Sequence, residues 1–341
     1  MEQAARDIAT HLNHDVIVVI KSTVPVGTNE YVKGLVEKGL KDGITVQMVS
    51  NPEFLRQGSA IKDTMRADRI VVGSEDRAAA EKIREMYRPL NTPVLMTSIR
   101  SAEMIKYASN AFLATKISFI NEMANLCEAV GANIEDVARG MGMDRRIGEA
   151  FLEAGIGYGG SCFPKDTAAL VYTAKNNGVN FSILENTMTI NQDQHRRLVN
   201  KALKRFGDIS GKKFAMLGLA FKPDTDDMRE APSIKIAHEL IRLGARVSAY
   251  DPVAMNNARK VIGDAVEYAN NVNEAVFEAD ALLLVTEWKE FKELDLEEVL
   301  NQMKLPIIFD GRNCFHEGQL KDLLKVEYYP IGKNAIVIDR M

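Results

Sequence analysis

The sequence predicts an α/β protein in which two doubly wound sheets, the first incomplete, are bridged by a long helix and an all-α middle. Three observations carry this expectation. Short β-branched runs alternate with helical patterns between Asp15 and Thr97, one helical pattern runs unbroken from Ser101 to Val130, and the alternation returns after Gly211. At 341 residues the chain is long enough for two or three domains, each with its own core. Its 46% apolar and 26% charged residues are those of an ordinary globular protein, and no apolar run approaches the ~20 residues of a membrane span. The first residues, Met1-Glu-Gln-Ala-Ala-Arg-Asp7, carry no signal-peptide core, so a cytoplasmic protein without membrane contact is expected. A net charge of −4 with mixed signs gives no basic footprint for nucleic acid. Cys127, Cys162 and Cys314 are odd in number and far apart, which supports neither a disulfide framework nor a metal site.

Taken in order, Asp15–Lys21 is a continuous apolar run of the kind that forms a strand buried on both faces. A helix follows from Asn29 to Leu40, then a strand from Ile44 to Ser50, a strand from Arg69 to Gly73, a helix from Ala78 to Tyr87 and a strand from Pro93 to Thr97. In such a sheet ligands bind beyond the carboxyl ends of the strands, where Thr23 and Glu53 fall. A dinucleotide-binding sheet normally opens with a strand, a Gly-x-Gly-x-x-Gly turn, a helix and an acidic residue ~20 positions on. No such turn precedes Asp15, so this first Rossmann-like domain is expected to lack its first βαβ units.

The helix from Ser101 ends at Gly131, a natural C-cap, and at 1.5 Å per residue would span roughly 45 Å, long enough to bridge domains. Lys106 and Asn110 are four apart on one face with Glu103 and Tyr107 alongside; on its own such a pair reads as a solvated stripe. A short helix from Asn133 to Gly140 leads to the stretch Gly155–Asp166, followed by helices at about 164–177 and 185–206. In that stretch four glycines (155, 157, 159, 160) permit positive φ and close approach to a ligand. Pro164 suits a first helical turn. Cys162 is thereby expected just before a helix N-terminus, which favours a nucleophilic thiolate over a merely buried thiol. A cysteine hydrolase would need a histidine partner, and His195 and His238 read as surface residues of helices. From Lys213 a second Rossmann-like sheet is expected, with strands at 213–217, 246–250, 281–286 and 306–309 and a helix at 233–243. Its first turn carries Lys222 and Arg229 in place of a glycine fingerprint, which suggests another phosphate-bearing ligand. Asp251 ends the second strand and reads either as a ribose ligand or as a helix N-cap.

Six stretches together resemble the UDP-glucose dehydrogenase family of nucleotide-sugar 6-dehydrogenases, in that family's order. They are Lys-Ser-Thr-Val-Pro-Val-Gly (21–27), Asn-Pro-Glu-Phe-Leu (51–55), Ala-Glu-Met-Ile-Lys-Tyr-Ala-Ser-Asn-Ala-Phe (102–112), Gly-Tyr-Gly-Gly-Ser-Cys-Phe-Pro-Lys-Asp (157–166), Ala-Phe-Lys-Pro-Asp-Thr-Asp-Asp-Met-Arg-Glu (220–230) and Asp-Gly-Arg-Asn (310–313). The resemblance implies an NAD-binding domain over 1–99, lacking its first units, a helical dimerisation and catalytic domain over 100–208, and a UDP-sugar-binding domain over 209–341. It implies oxidation of UDP-glucose to UDP-glucuronate by two hydride transfers to NAD, for polysaccharide or cell-envelope synthesis. Cys162 would form a thiohemiacetal and then a thioester. Lys106 and Asn110 would stabilise the oxyanion, and Thr23, Glu53 and Asp166 would order a water and carry protons.

The resemblance further implies substrate contacts from Phe54, Leu55, Lys106, Asn110, Phe151, Tyr158, Gly159, Lys222 and Arg312, with Arg146 reaching into a partner subunit across a homodimer built on helix 101–130. Cofactor contacts fall to Thr23, Gln57, Lys165 and Arg229, although the family usually has Glu where Gln57 stands. No metal is expected. Read this way the chain is an N-terminally truncated enzyme of that family. The alternatives are a non-catalytic nucleotide-sugar-binding remnant, or a related dehydrogenase acting on GDP-mannose or UDP-N-acetylmannosamine.

Overall fold

The computed structural model describes residues 1–340; residue 341, the last of the expected C-terminal domain, lies outside the described residues. Its main helices are α1 (Glu2–His11), α2 (Thr28–Glu37), α3 (Ala60–Met65), α4 (Arg77–Met86), α5 (Ile99–Val130), α6 (Ile134–Gly142), α7 (Phe163–Asn176), α8 (Ser182–Gln194), α9 (Arg196–Phe206) and α10 (Pro232–Arg242). The chain divides into two compact units, one made of Met1–Ala111 with Ala168–Val179, the other of Phe112–Thr167 with the chain from Asn180 onward.

The first unit holds a four-stranded sheet in the order β1 (Val16–Ile20), β2 (Val46–Ser50), β3 (Ile70–Gly73), β4 (Val94–Thr97). β1 pairs with β2 and β3 with β4 in parallel, while β2 and β3 meet antiparallel through Ser50 and Gly73. Alternation along β1 sends Val16 and Val18 to a cluster with Ala5, Ala9, Val32 and Val36, and Ile17 and Val19 to a second cluster with Ala79, Ala80 and Ile83. The run is thus two-sided as expected. It is only half-buried up to Val19, however, because β1 ends the strand order and lacks a second neighbour there. α3 is not anticipated by the sequence, since none of its residues is buried and it has no apolar face to betray it. At the end of β3, a Cβ on Gly73 would lie 2.5 Å from that of Ala102 and 2.7 Å from the Ser98 carbonyl, so only glycine lets this strand end meet the start of α5.

The second unit holds seven strands in the order β11-β10-β9-β8-β5-β6-β7. They are β5 (Lys213–Leu217), β6 (Arg246–Tyr250), β7 (Glu267–Tyr268), β8 (Ala281–Leu284), β9 (Ile307–Asp310), β10 (Lys325–Tyr329) and β11 (Ile336–Asp339), all parallel except the β10–β11 pair. The central strands β8 and β9 are buried throughout, the pattern of a sheet covered on both faces. β7, β10 and β11 escape sequence detection because they alternate exposed or half-buried residues instead of forming apolar runs. The direction of winding reverses between β5 and β8, and Gly218 (φ +93°) stands at that point with its Cα against Thr286.

Two expectations change here. The carboxylate of Asp251, fully buried, accepts the amides of Leu219, Ala220, Val253 and Ala254 and the indole N–H of Trp288. Its oxygens close two turns and are taken up by protein donors, so the buried Asp251 is not presented to a ribose, and it is not the helix N-cap either, since the helix Met255–Ile262 has Ala254 in that place. The helix expected from 185 to 206 is two, interrupted at His195, and His195 is buried at 7% exposure whereas His238 is exposed as expected. The apolar stripe of Leu198, Val199 and Ala202 that sinks α9 into the core carries His195 in with it.

Candidate active site

Cys162 is the residue immediately before α7, and its carbonyl accepts the amide of Asp166 at 2.8 Å. The residue therefore stands at a helix start, where unpaired amides and partial positive charge converge, with its Sγ 3.8 Å from Ser161 Oγ. Of the three cysteines only this one is exposed; burial pushes the Cys314 thiol far up, and Cys127 is buried as well. Asp166 is buried, with Lys165 Nζ 3.0 Å from its Oδ1. The glycines before the cysteine turn out to admit protein. Gly157 and Gly160 take positive φ (+95° and +82°), but Gly159 does not, and a Cβ there would lie 2.3 Å from the Glu230 carbonyl. A Cβ on Gly155 would lie 2.9 Å from the Gly311 carbonyl, so the close approaches that these glycines permit are to neighbouring loops.

Three carboxamides that sequence reasoning missed hold this loop. Gly155 donates to Asn121 Oδ1 at 2.8 Å, Gln194 donates to the Gly155 carbonyl at 2.8 Å, and Asn191 bonds both backbone groups of Tyr158. Their positions on α5 and α8 read as polar helix faces, and nothing in their spacing announces a partner in the loop. Phe163 packs edge-on against Phe151 and Tyr158, with ring centroids 6.2 and 5.6 Å away. Phe151 itself sits at φ +67°, a conformation L-residues rarely adopt. Burial pushes the Tyr158 phenol up to about 12, with Ser118 as its hydrogen-bond partner.

The segment after β5 closes over the same loop. Gly160 donates to the Arg229 carbonyl at 2.8 Å, and the ring of Phe221 fills the space beside Gly160. Arg229 is held above its ordinary range, first by its hydrogen bonds to Asp227. Lys222 Nζ lies 5.6 Å from the Phe221 ring. Arg312 spends two donors on the Val285 and Gly157 carbonyls and stands 3.3 Å from Glu287. Arg146, in the turn after α6, is exposed and grips Asp144, while Lys116 ties down the Ile147 and Gly148 carbonyls.

In the first unit the face of α5 that spacing on its own reads as a solvated stripe is buried: Glu103, Lys106 and Asn110 are 2%, 4% and 7% exposed. Lys106 Nζ lies 3.4 Å from Glu53 Oε1 and 5.1 Å from the centre of the Phe54 ring, over which the Arg69 guanidinium also sits at 4.1 Å. Glu53 also accepts the Leu55 amide at 2.5 Å. One turn before Lys106, Glu103 accepts the amides of Gly27 and Asn29 and the Asn29 side chain, 2.7 to 2.9 Å away. It therefore fixes the loop that carries the half-buried Thr23. Arg69 and Glu103 were not singled out as site residues by sequence; their partners lie 15 to 76 positions away along the chain. Gln57 is exposed in the turn that Arg56 and Ser59 build around Asp63. Among the described residues no group of His, Cys, Asp and Glu is arranged to hold a metal ion, and no helix is long and apolar enough to cross a membrane.

Three domain descriptions of one family match successive parts of the chain: the NAD binding domain at residues 1–91, the central domain at 100–193 and the UDP binding domain at 215–317. A curated relative, UDP-glucose 6-dehydrogenase YwqF of Bacillus subtilis, is 54% identical over 336 residues, which cover 98% of this chain and 76% of the relative. The chain belongs to the UDP-glucose/GDP-mannose dehydrogenase family. A second member, the UDP-glucose 6-dehydrogenase of Rhizobium meliloti, is 50% identical over 93% of this chain and 74% of its own length. Among solved structures, a UDP-glucose dehydrogenase of Pyrobaculum islandicum superposes with a TM-score of 0.89 at 36% identity, covering 98% of this chain and 75% of that one. A UDP-D-ManNAc dehydrogenase of Pyrococcus horikoshii gives 0.83 at 28% identity, with 97% and 76% covered.

Membership makes the chain an oxidoreductase with NAD as its cofactor. Each unit taken by itself offers groups of the kind a dinucleotide uses: Thr23 and Gln57 in the first a hydroxyl and an amide, Lys165 and Arg229 in the second exposed cations of the kind that meet phosphates. The start of α2 is not among them, because Glu103 already occupies its amides.

Proposed function

We propose that the chain oxidises UDP-glucose to UDP-glucuronate, with Cys162 as the nucleophile of the second half of the reaction. The observation that carries the reading is the exposed thiol at the start of α7, two residues after the Gly160 amide that bonds the Arg229 carbonyl, in a chain 54% identical to a UDP-glucose 6-dehydrogenase. NAD, when bound, accepts the two hydrides. The buried Lys106 and Asn110 supply an ammonium and an amide for the oxyanion at C6. Once C6 is an aldehyde, the sulfur of Cys162 adds to it, forming a C–S bond while the carbonyl electron pair moves to oxygen. After hydride loss the thioester carbon takes a water, the C–S bond breaks and the thiol is regenerated as the carboxylate leaves. Glu53, Asp166 and Thr23 are the groups available to hold that water and take its proton.

In this reading residues 1–99 serve the cofactor, 100–208 the chemistry and the subunit contact, and 209–341 the UDP moiety. Phe54, Leu55, Phe151, Tyr158, Gly159, Lys222 and Arg312 line the substrate, and Thr23, Gln57, Lys165 and Arg229 the cofactor. The subunit contact is supported by Phe112, Phe119 and Leu126, which stand exposed (65%, 48% and 53%) at seven-residue spacing along α5. Arg146 would reach the partner's sugar site. The product would serve polysaccharide or cell-envelope synthesis in the cytoplasm. The test is to count NADH formed per UDP-glucose by the wild type and by Cys162→Ser. Wild type is expected to form two and the variant to stall at the aldehyde level; two per substrate at wild-type rate in the variant would sink the nucleophile role. Binding of UDP-glucose with no NADH from wild type would favour a non-catalytic sugar-nucleotide binder.

A further inference from the structure

We propose that Asn191 is a positioning residue for Cys162, and that its side chain decides whether the aldehyde is captured or escapes. The proposal rests on the reading of Cys162 as nucleophile. Asn191 Oδ1 accepts the Tyr158 amide at 2.8 Å and its Nδ2 donates to the Tyr158 carbonyl at 2.9 Å, so one carboxamide satisfies both backbone groups of a residue four positions before the thiol. Gly157 is open for that purpose: a Cβ there would lie 2.8 Å from Asn191 Oδ1. Asn121 and Gln194 treat Gly155 in the same way, and Asn125 donates to Gln194 Oε1 at 3.1 Å, which fixes the orientation of the Gln194 amide.

The glycine loop has no strand partner to hold it. Two of its residues sit at positive φ, and its glycines gain more conformational freedom on release than any other residue. Side-chain amides from α5 and α8 take the role that a β-ladder plays elsewhere. The first hydride transfer needs no thiol. Capture of the aldehyde needs the sulfur within attack distance of C6, and a displacement of about 1 Å can cost ~100-fold in such a step. At saturating UDP-glucose, where looser contacts from Tyr158 and Gly159 appear in KM, a loosened loop therefore weighs most on the second half of the reaction.

The experiment uses Asn191→Asp, which replaces the Nδ2 donor by an oxygen facing the Tyr158 carbonyl, and Gln194→Ala, which removes one bond to the loop and the Asn125 bond behind it. NADH per UDP-glucose is counted with hydroxylamine present to trap aldehyde, and the rate of Cys162 alkylation by iodoacetamide is measured against Cys162→Ser as blank. The expected result for Asn191→Asp is a fall from two NADH toward one, trapped aldehyde, a first hydride transfer within about three-fold of wild type, and an alkylation rate changed by about ten-fold. Gln194→Ala should shift the same readouts in the same direction by less, and it carries the test if melting shows Asn191→Asp unfolded. Equal loss in both hydride transfers with the stoichiometry held at two would mark a merely structural amide and overturn the proposal. So would wild-type stoichiometry and alkylation in both variants. Full stoichiometry in Cys162→Ser would fail the nucleophile reading itself, whereas a stall there with both amide variants normal fails only the role of Asn191.

Discussion

Lys106 illustrates what a residue's neighbours add to its chemistry. A cation 4% exposed, 3.4 Å from Glu53 and above the Phe54 ring, has no solvent to screen it and is held in one direction. Lys106→Ala is expected to lower kcat by ~10²–10³ with a small change in KM for UDP-glucose, since the oxyanion exists only during reaction. Steady-state kinetics check this, and equal losses in kcat and binding would make Lys106 an ordinary substrate contact. His195 belongs to stability. Burial, with Lys235 as a secondary cause, holds its pKa below the ordinary ~6.5, so below that pH the unfolded chain binds a proton that the folded chain refuses. Stability from this group is complete above ~6.5 and declines as pH falls toward the lowered folded value. The Tm of the wild type should therefore drop further between pH 7.5 and pH 5.5 than that of His195→Gln; parallel curves would remove His195 from the account. The residue types of the site were legible in the sequence because motifs name them. The burial of Lys106 and His195 was not, nor were Glu103, Arg69 and Asn191, whose roles depend on partners distant along the chain.

At the scale of elements, the glycine loop and α5 give the sharpest expectations. Gly159→Ala would drive a methyl into the Glu230 carbonyl, 2.3 Å from the ideal Cβ, and overpacking of this kind costs typically ~1–3 kcal/mol. The variant should melt earlier and lose the UDP-sugar turnover together, as measured by calorimetry and NADH formation. A normal melting curve would mean that the two loops can separate at little cost. On α5, Phe119→Glu puts a charge into the exposed apolar row of Phe112, Phe119 and Leu126. It should convert the proposed dimer to monomers in light scattering; a wild type that is monomeric, or a variant of unchanged mass, would remove the subunit contact from this face. Sequence gave the buried strands and the long helix readily, because apolar runs and a sustained helical period are strong signals. It passed over β10, β11 and α3, which are one-sided or without a buried residue, and it missed the antiparallel step between β2 and β3, which no local pattern encodes.

Across the whole molecule the two units differ in how they are held. The second has one continuous core running through its seven-stranded sheet, while the first divides its apolar contacts between two small clusters on opposite faces of four strands, ending in the half-buried β1. The first unit should open at lower temperature. Limited proteolysis with hydrogen exchange is expected to find early cleavage around α3, whose Ile61 and Met65 are exposed at 84% and 59%, and faster exchange in β1 than in β8. Equal protection of the two strands would contradict this. The division has a further consequence for how the protein is made. The first unit is not a continuous stretch: Ala168–Val179, with Leu170 and Val171 buried, belongs to it although the chain has meanwhile entered the second unit. On a ribosome, therefore, the amino-terminal unit is not complete when its four strands have emerged. It must wait until the segment around Leu170 has cleared the exit tunnel, so the last part of this unit to fold is made after the second unit has begun to emerge.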